Sequence, residues 1–340
     1  MSIPPIMCCP GTLAEGFTTY SPACRRQVFN GRKVSHTLPY RSFRTSEDNR
    51  EELIESRKRI SISGVQEKVS MLLDKGKLRL VQEGESGTYI LKPIPYDLKK
   101  VDQVPANEHL TMQIAQQVYS VSTASNALIF FQDGEVAYLT RRFDVRPEGM
   151  RWGKEDFATL AGKTSTNAGP NFKYESDYQE MATLIKRYVA ASVVEIDKFF
   201  ALVIFNYVFS NGDAHLKNFS LLESPNGDYL LSPAYDLINT RLHVNDSDTA
   251  LRDGLFSDDY ETESFHHNGY YAYDDFYEFG LKIGMKEPRV RKILNVYRTH
   301  QPRVELLTER SFLSAESKAH YLAMYYDRLK RLNYSFANRV

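Results

Sequence analysis

Five polar side chains between positions 213 and 236 have types and spacings that chemistry could use. Asp213, His215, Lys217 and Asn218 come close together, and Asp236 comes after a short apolar run, Tyr229-Leu230-Leu231. Two of these aspartates and the Asn218 amide can hold a cation or a proton. The interval from Asp213 to Asn218 suits one reaction in particular. In phosphoryl transfer an aspartate meets the acceptor hydroxyl, while an asparagine and a second aspartate grip the Mg²⁺ that bridges the nucleotide phosphates. The same residues also suit a plainer reading: a helix end, a turn and a hairpin with ordinary polar side chains. An apolar run over 199–209 stops at Asn211-Gly212. Glycine there permits a stop or turn that a Cβ would resist.

Other elements must position this loop. Residues 68–73 and 77–82 alternate like strands around Asp74-Lys75-Gly76, and 88–92 make a third strand stopped by Pro93. Leu110, Ile114 and Val118 recur at helical spacing within 105–119. Residues 126–131 and 136–141 flank Gln132-Asp133-Gly134-Glu135, a second hairpin. The result is a sheet of about five strands with one helix inserted after the third. Beyond Asp144 the pattern turns helical, over 176–191, 194–209, 287–300, 304–310 and 314–333. Residues 241–280, rich in Asp, His, Tyr and Gly, read as a long loop or insertion. Residues 45–59 open with Thr45 or Ser46 as an N-cap and read as a short helix. The first 45 residues read as a lid-like segment packed on the neighbouring domain.

Composition limits the function classes. The 340 residues carry no net charge, with 42% hydrophobic and 25% charged residues, which is globular usage. Neutrality points to neither a nucleic acid nor a membrane as the dominant partner. No apolar run approaches the ~20 residues of a membrane helix, and the N-terminus lacks the basic and apolar regions of a signal peptide. The three cysteines, Cys8, Cys9 and Cys24, form no C-x-x-C pair and no secreted disulfide framework. A cytoplasmic protein is expected.

A β-rich lobe with one inserted helix, then a mainly helical lobe carrying an Asp/Asn loop, is an α+β, bilobal protein-kinase-like layout. The expected division is 1–45, a short N-terminal segment; 46–143, the N-lobe; and 144–340, the C-lobe. A kinase needs a strand lysine for the α/β-phosphates, paired to a glutamate on the inserted helix. Lys92 and Glu108 stand at those places, where an exposed strand end and a helix-start acid are the plain alternatives. The phosphate-covering loop falls on residues 61–68, with Gly64 as its single glycine. A hinge able to bind adenine falls near Arg141-Arg142-Phe143-Asp144. Gly162-Lys163-Thr164 ends like a P-loop, but Phe157 stands where the first glycine belongs.

Eight short motifs in order make the resemblance specific: Ser61-Ile62-Ser63-Gly64-Val65-Gln66-Glu67-Lys68, Tyr89-Ile90-Leu91-Lys92-Pro93, Asn107-Glu108, Arg142-Phe143-Asp144, Glu155-Asp156-Phe157, Lys173-Tyr174-Glu175-Ser176-Asp177, Gly212-Asp213-Ala214-His215-Leu216-Lys217-Asn218-Phe219 and Tyr235-Asp236. Together they resemble the HipA-like serine/threonine kinase toxins over about residues 60–240. With only about 45 residues ahead of the kinase lobe, the chain is similar to the short, HipT-type branch. The family often has Glu where Arg141 stands.

The resemblance implies ATP and Mg²⁺ as cofactors and a protein substrate, an aminoacyl-tRNA synthetase, whose phosphorylation arrests translation and growth. It implies a helix-turn-helix antitoxin as partner and a separate small protein in place of the larger N-terminal subdomain. Direct DNA binding by the neutral chain alone is not expected. By the same resemblance Asp213 accepts the hydroxyl proton, His215 orients the loop, Lys217 reaches the γ-phosphate, and Asn218 and Asp236 hold Mg²⁺. Lys92 and Glu108, with Ser63, Gly64, Val65, Gln66, Lys68, Arg141 and Phe143, make up the ATP site. Ser61, with Ser63 as a second candidate, is the implied autophosphorylation site. A phosphate there, about −1.5 to −2 in charge, would repel those of ATP. A small-molecule or lipid kinase, or a silent module of an antitoxin–DNA complex, are the alternatives. Retention of Lys92, Asp213, Asn218 and Asp236 speaks against silence.

Overall fold

A computed structural model describes residues 5–43, 67–95, 98–146 and 148–339. Its strands are β1 (Val69–Asp74), β2 (Lys77–Leu80), β3 (Tyr89–Lys92), β4 (Asn126–Phe130), β5 (Val136–Arg141), β6 (Lys154–Asp156), β7 (Ser220–Glu223) and β8 (Tyr229–Leu231). Its helices are α1 (Pro22–Phe29), α2 (Val104–Gln117), α3 (Phe157–Leu160), α4 (Ser165–Ala168), α5 (Tyr178–Tyr188), α6 (Ser192–Val208), α7 (Glu263–Asn268), α8 (Tyr273–Lys282), α9 (Glu287–Arg298), α10 (Pro302–Arg310) and α11 (Ala315–Leu332). They fall into two units. Unit one is Met1–Ile114, Ala124–Met150 and Arg303–Lys318; unit two is Ala115–Thr123, Arg151–Pro302 and Ala319–Val340.

Unit one is built on an antiparallel sheet in the order β2-β1-β3-β5-β4, with α2 following β3 as the sequence leads one to expect. Lys75 and Gly76 both take positive φ, 45° and 79°. That is the turn whose twist matches two right-twisted strands, so the first hairpin closes where Asp74-Lys75-Gly76 predicts. The core mixes Tyr20, Val28 and Phe29 from the N-terminal segment with Met71, Leu91, Ile129 and Leu139 from the sheet. The same segment covers the outer edge of β4. Leu128 N donates to Pro10 O, Phe130 N to His36 O, and Leu38 N to Phe130 O. An uncovered edge would offer those groups to another chain. α1, which the sequence pattern does not separate from its loop, starts at Ser21, whose Oγ accepts from Cys24 N.

Unit two centres on α6, buried nearly all round through Phe199, Phe200, Val203, Ile204, Phe205 and Val208. α5 packs beside it by one face, Tyr178, Met181, Ala182, Leu184 and Ile185. Phe209 stacks on Tyr325 at 5.3 Å and Tyr119 on Tyr297 at 4.7 Å. A small sheet, β6-β7-β8, carries the loops of interest. β6 falls where the sequence pattern marks no element, because its partners lie far along the chain: Glu155 and Asp156 pair with Leu221 and Ser220.

Two further expectations are corrected. Gly212 does not stop the long helix. Ser210 takes the left-handed conformation, φ 53°, and Asn211 N donates back to Asn206 O at 2.8 Å. What Gly212 provides is room, since a Cβ there would lie 2.6 Å from Asp246 Oδ2. Residues 241–280 are not one long loop, for they contain α7 and α8. Thr262 caps α7 by accepting from Phe265 N, and Asp275 accepts from Ala272 N at the start of α8. Polar residues that read as loop are therefore helix caps, while Tyr273, Phe276 and Phe279 go to the core. Among the described residues no helix is long and apolar enough to cross a membrane.

Candidate active site

In unit one, Lys92 closes β3 and Glu108 lies one turn into α2. Lys92 Nζ donates to Glu108 Oε1 at 2.6 Å, with the side chains only 4% and 3% exposed. Tyr138, opposite Lys92 on β5, lies beneath the ammonium with its ring centroid 5.3 Å away. Two charges removed from water need such a partner, because desolvation otherwise outweighs their attraction. At the expected hinge, Arg141 N donates to Ser125 O and Arg142 N to Thr88 O, so both N–H groups serve the sheet. The Arg141 guanidinium donates to Asn30 Oδ1 at 2.5 Å, and Arg142 forks onto Asp144. Phe143 is half-buried, as is Lys68 just before β1. Ser61, Ser63, Gly64, Val65 and Gln66 lie outside the described residues, as does the helix expected over 45–59.

In unit two, the turn after α6 brings four expected residues together. Asn211 is the frame. Its Oδ1 accepts from Asp213 N at 3.4 Å, and its Nδ2 donates to Asp236 O at 3.4 Å and Asn206 Oδ1 at 2.9 Å. Asn218 Nδ2 donates to Asp236 Oδ2 at 3.4 Å, while its Oδ1 accepts from His215 N at 3.2 Å. Asp236 itself has φ 56°, a conformation a non-glycine residue adopts at a cost and keeps when its surroundings fix it. Tyr235 supplies part of that fixing, since its hydroxyl donates to Lys217 O at 2.9 Å. The backbone of Lys217 is thus held, while its ammonium lies 5.9 Å from the centre of the Phe172 ring.

Asp213 is half-open, its side chain 49% exposed. Tyr174 O–H donates to its Oδ1 at 2.6 Å. The segment holding Tyr174 is itself tied to the loop, since Leu216 N donates to Lys173 O and Tyr178 O–H to Ala214 O. His215 is buried, with its ring edge-on to Tyr174 at 5.1 Å. Burial first, and the Lys173 charge second, lower its pKa to about 3, so the imidazole is neutral at neutral pH. Its Nε2 is 3.9 Å from Asp213 Oδ1, beyond hydrogen-bond reach. Tyr174 and Asn211 do not stand out as site residues in the sequence. Tyr174 lies inside the Lys173-to-Asp177 motif and Asn211 abuts Gly212, and those positions are the only signals the sequence offers.

The arrangement offers an anchored, half-exposed carboxylate beside two hard oxygen-bearing side chains. Among the described residues no three or more His, Cys, Asp and Glu side chains cluster to hold a metal by themselves. Asn218 and Asp236 fit Mg²⁺ as it usually binds, through one or two protein oxygens, with phosphates and water completing the shell.

The fold is α+β and kinase-like. A solved structure of the Shewanella oneidensis MR-1 toxin–antitoxin system HipA, HipB and its operator DNA matches it with a TM-score of 0.61. That match is 19% identical and covers 80% of this chain and 65% of that one. The family follows from sequence: the HipA-like C-terminal domain matches residues 60–304, and the chain belongs to that family. A Haemophilus influenzae protein named "Putative kinase" is 26% identical over 292 residues, 81% of this chain and 82% of its own length. "Putative kinase Y4dM" of Sinorhizobium fredii is 31% identical over 220 residues, 60% of this chain. That match spans about half of the Sinorhizobium protein, 51%.

Proposed function

We propose that the chain is a serine/threonine protein kinase that moves the γ-phosphate of ATP to a protein serine, with Mg²⁺ as cofactor. The observation that carries this reading is the Asn211 frame, which fastens the backbones of Asp213 and Asp236 while Asn218 reaches the Asp236 carboxylate. On this reading Asp213 takes the proton of the acceptor hydroxyl. Tyr174 holds its Oδ1, so that the carboxylate keeps one orientation. Neutral His215 packs the loop, and Lys217 reaches the γ-phosphate. Asn218 and Asp236 hold the Mg²⁺, which when bound neutralises phosphate charge. Lys92, braced by Glu108, binds the α/β-phosphates. Residues 63–66 and Lys68 cover the phosphates, and Arg141 and Phe143 border the adenine. Because the N–H groups of Arg141 and Arg142 are engaged, a hinge contact through these two residues would use their carbonyls.

Family membership supports the biological setting. The substrate proposed is an aminoacyl-tRNA synthetase, and its phosphorylation stops growth. A helix-turn-helix antitoxin is the proposed partner, in keeping with the Shewanella neighbour, which was solved with HipB and operator DNA. A separate small protein is a second proposed partner. Zero net charge gives the chain alone no electrostatic drive toward DNA. Ser61 or Ser63 is the proposed site of autophosphorylation.

The test is phosphate transfer by purified chain to a cell lysate, read by mass spectrometry. Asp213→Gln and Asp236→Gln should lower transfer at least about 100-fold and leave circular dichroism unchanged. Phosphate should appear on Ser61 or Ser63 of wild type and be missing from Asp213→Gln. Near wild-type transfer by either variant would overturn the assignment, and label found only in lipids or small molecules would overturn the protein substrate.

A further inference from the structure

Cys9 and Cys24 are both fully buried and both free thiols. They are neighbours across Gly11, whose N–H lies 3.4 Å from Cys9 Sγ and whose Cα is packed against Cys24 Sγ. Three backbone N–H groups point at Cys9 Sγ: Ser21 from 3.1 Å, and Gly11 and Thr12 from 3.4 Å. A set of converging amides is what favours an anion, here a sulfur one. Gly11 makes the pairing possible, because a Cβ at that position would lie 2.1 Å from Cys24 Sγ. A cysteine that only fills a core behaves as a small hydrophobe and needs none of this. The hydrogen bond from Cys24, then those from Ser21 and Thr12, outweigh burial and lower the Cys9 pKa to about 4. The Cys24 thiol is pushed the other way by its bond to Cys9 and by burial. Of the two sulfurs, Cys9 is thus the one its surroundings favour as an anion.

We propose that Cys9 and Cys24 form a peroxide-reactive dithiol that closes to a disulfide. The Cys9 thiolate attacks one oxygen of a hydroperoxide, the O–O bond breaks, and Cys9 becomes a sulfenic acid while the other oxygen leaves as hydroxide or alkoxide. Cys24 sulfur then attacks the sulfenic sulfur. Its proton leaves with the sulfenic hydroxyl as water, and the two sulfurs have together given two electrons to the peroxide. This inference does not depend on the kinase reading. The change would reach further, because Gly11 O lies 3.1 Å from His109 Nε2, and His109 adjoins Glu108 in α2.

The experiment exposes the folded full-length chain to hydrogen peroxide, quenches it with an alkylating agent, and maps peptides. The expected product has lost two hydrogens, links Cys9 to Cys24, leaves Cys8 alkylated, and reverts with dithiothreitol. Cys8→Ser should close as wild type does, and Cys9→Ser should not close. The wild-type map needs no variant, so a variant that fails to fold does not decide the result. Closure through Cys8, arrest of Cys9 as sulfinic acid, or Cys9 and Cys24 both recovered as thiols while Cys8 is oxidised would each overturn the proposal.

Discussion

His109 and His215 are buried imidazoles, lowered chiefly by burial to pKa values of about 4 and about 3. In an unfolded chain each would titrate near ~6.5. The folded values are depressed, so as the pH falls the unfolded chain binds protons first. Stability from these groups is therefore complete above the unfolded value and is lost between it and the folded values. The expected loss is on the order of 3 kcal/mol for His109 alone between pH 7 and pH 4. Urea unfolding measured across that range should show the decline, and His215→Gln and His109→Gln should each flatten it. An undiminished slope in both variants would show that other groups cause it. The residue scale is also where the sequence was most and least informative. Asp213, Asn218 and Asp236 stand out as candidates by type and spacing. Tyr174 does not, because its partner Asp213 is 39 positions away and a tyrosine beside a lysine has no signature of its own.

At the scale of elements, local chemistry made some structure readable and hid the rest. Both hairpins of the five-stranded sheet close at turn residues between strand-like runs, and the two strands of each hairpin pair with each other. α8 was hidden because Asp274 and Asp275 look like solvent residues. They are buried, accepting bonds from Ser335 and Ala272, and their partners lie in other segments or one turn away. The short strand β6 was hidden for a similar reason, since β7 lies more than sixty positions on. α8 also shows how closely unit two is packed. A Cβ at Gly280 would lie 2.7 Å from Val290 Cγ2 on α9 and 3.2 Å from Phe200 Cε2 on α6. Gly280→Ala gains helix propensity of about 1 kcal/mol, but overpacking a filled contact costs about 1–3 kcal/mol. The balance is expected to favour glycine, with a lower thermal midpoint for the variant. A higher midpoint would mean that α8 and α9 separate easily.

On the scale of the whole molecule, unit one is discontinuous, and its last piece is Arg303–Lys318. That piece bonds to the first and middle parts of the same unit. Arg310 pairs with Glu15 at 2.7 Å, Ser314 N donates to Gln103 Oε1, and the Phe312 ring meets Phe130 at 5.8 Å. Leu307, on α10, is buried. Leu307→Asp would bury a charge among apolar groups. Amide exchange in β4 and in residues 5–43 is expected to quicken at least about tenfold, the equivalent of ~1.4 kcal/mol, while α5 and α6 keep their protection. Equal loss in both units would show that they unfold together. The chain order carries a consequence for synthesis. A ribosome releases the five strands of unit one long before it releases the residues that complete their unit. The nascent chain must hold that sheet unfinished while most of unit two emerges. On the function proposed above, a cell making this chain meets its activity only after Arg303–Lys318 has been released.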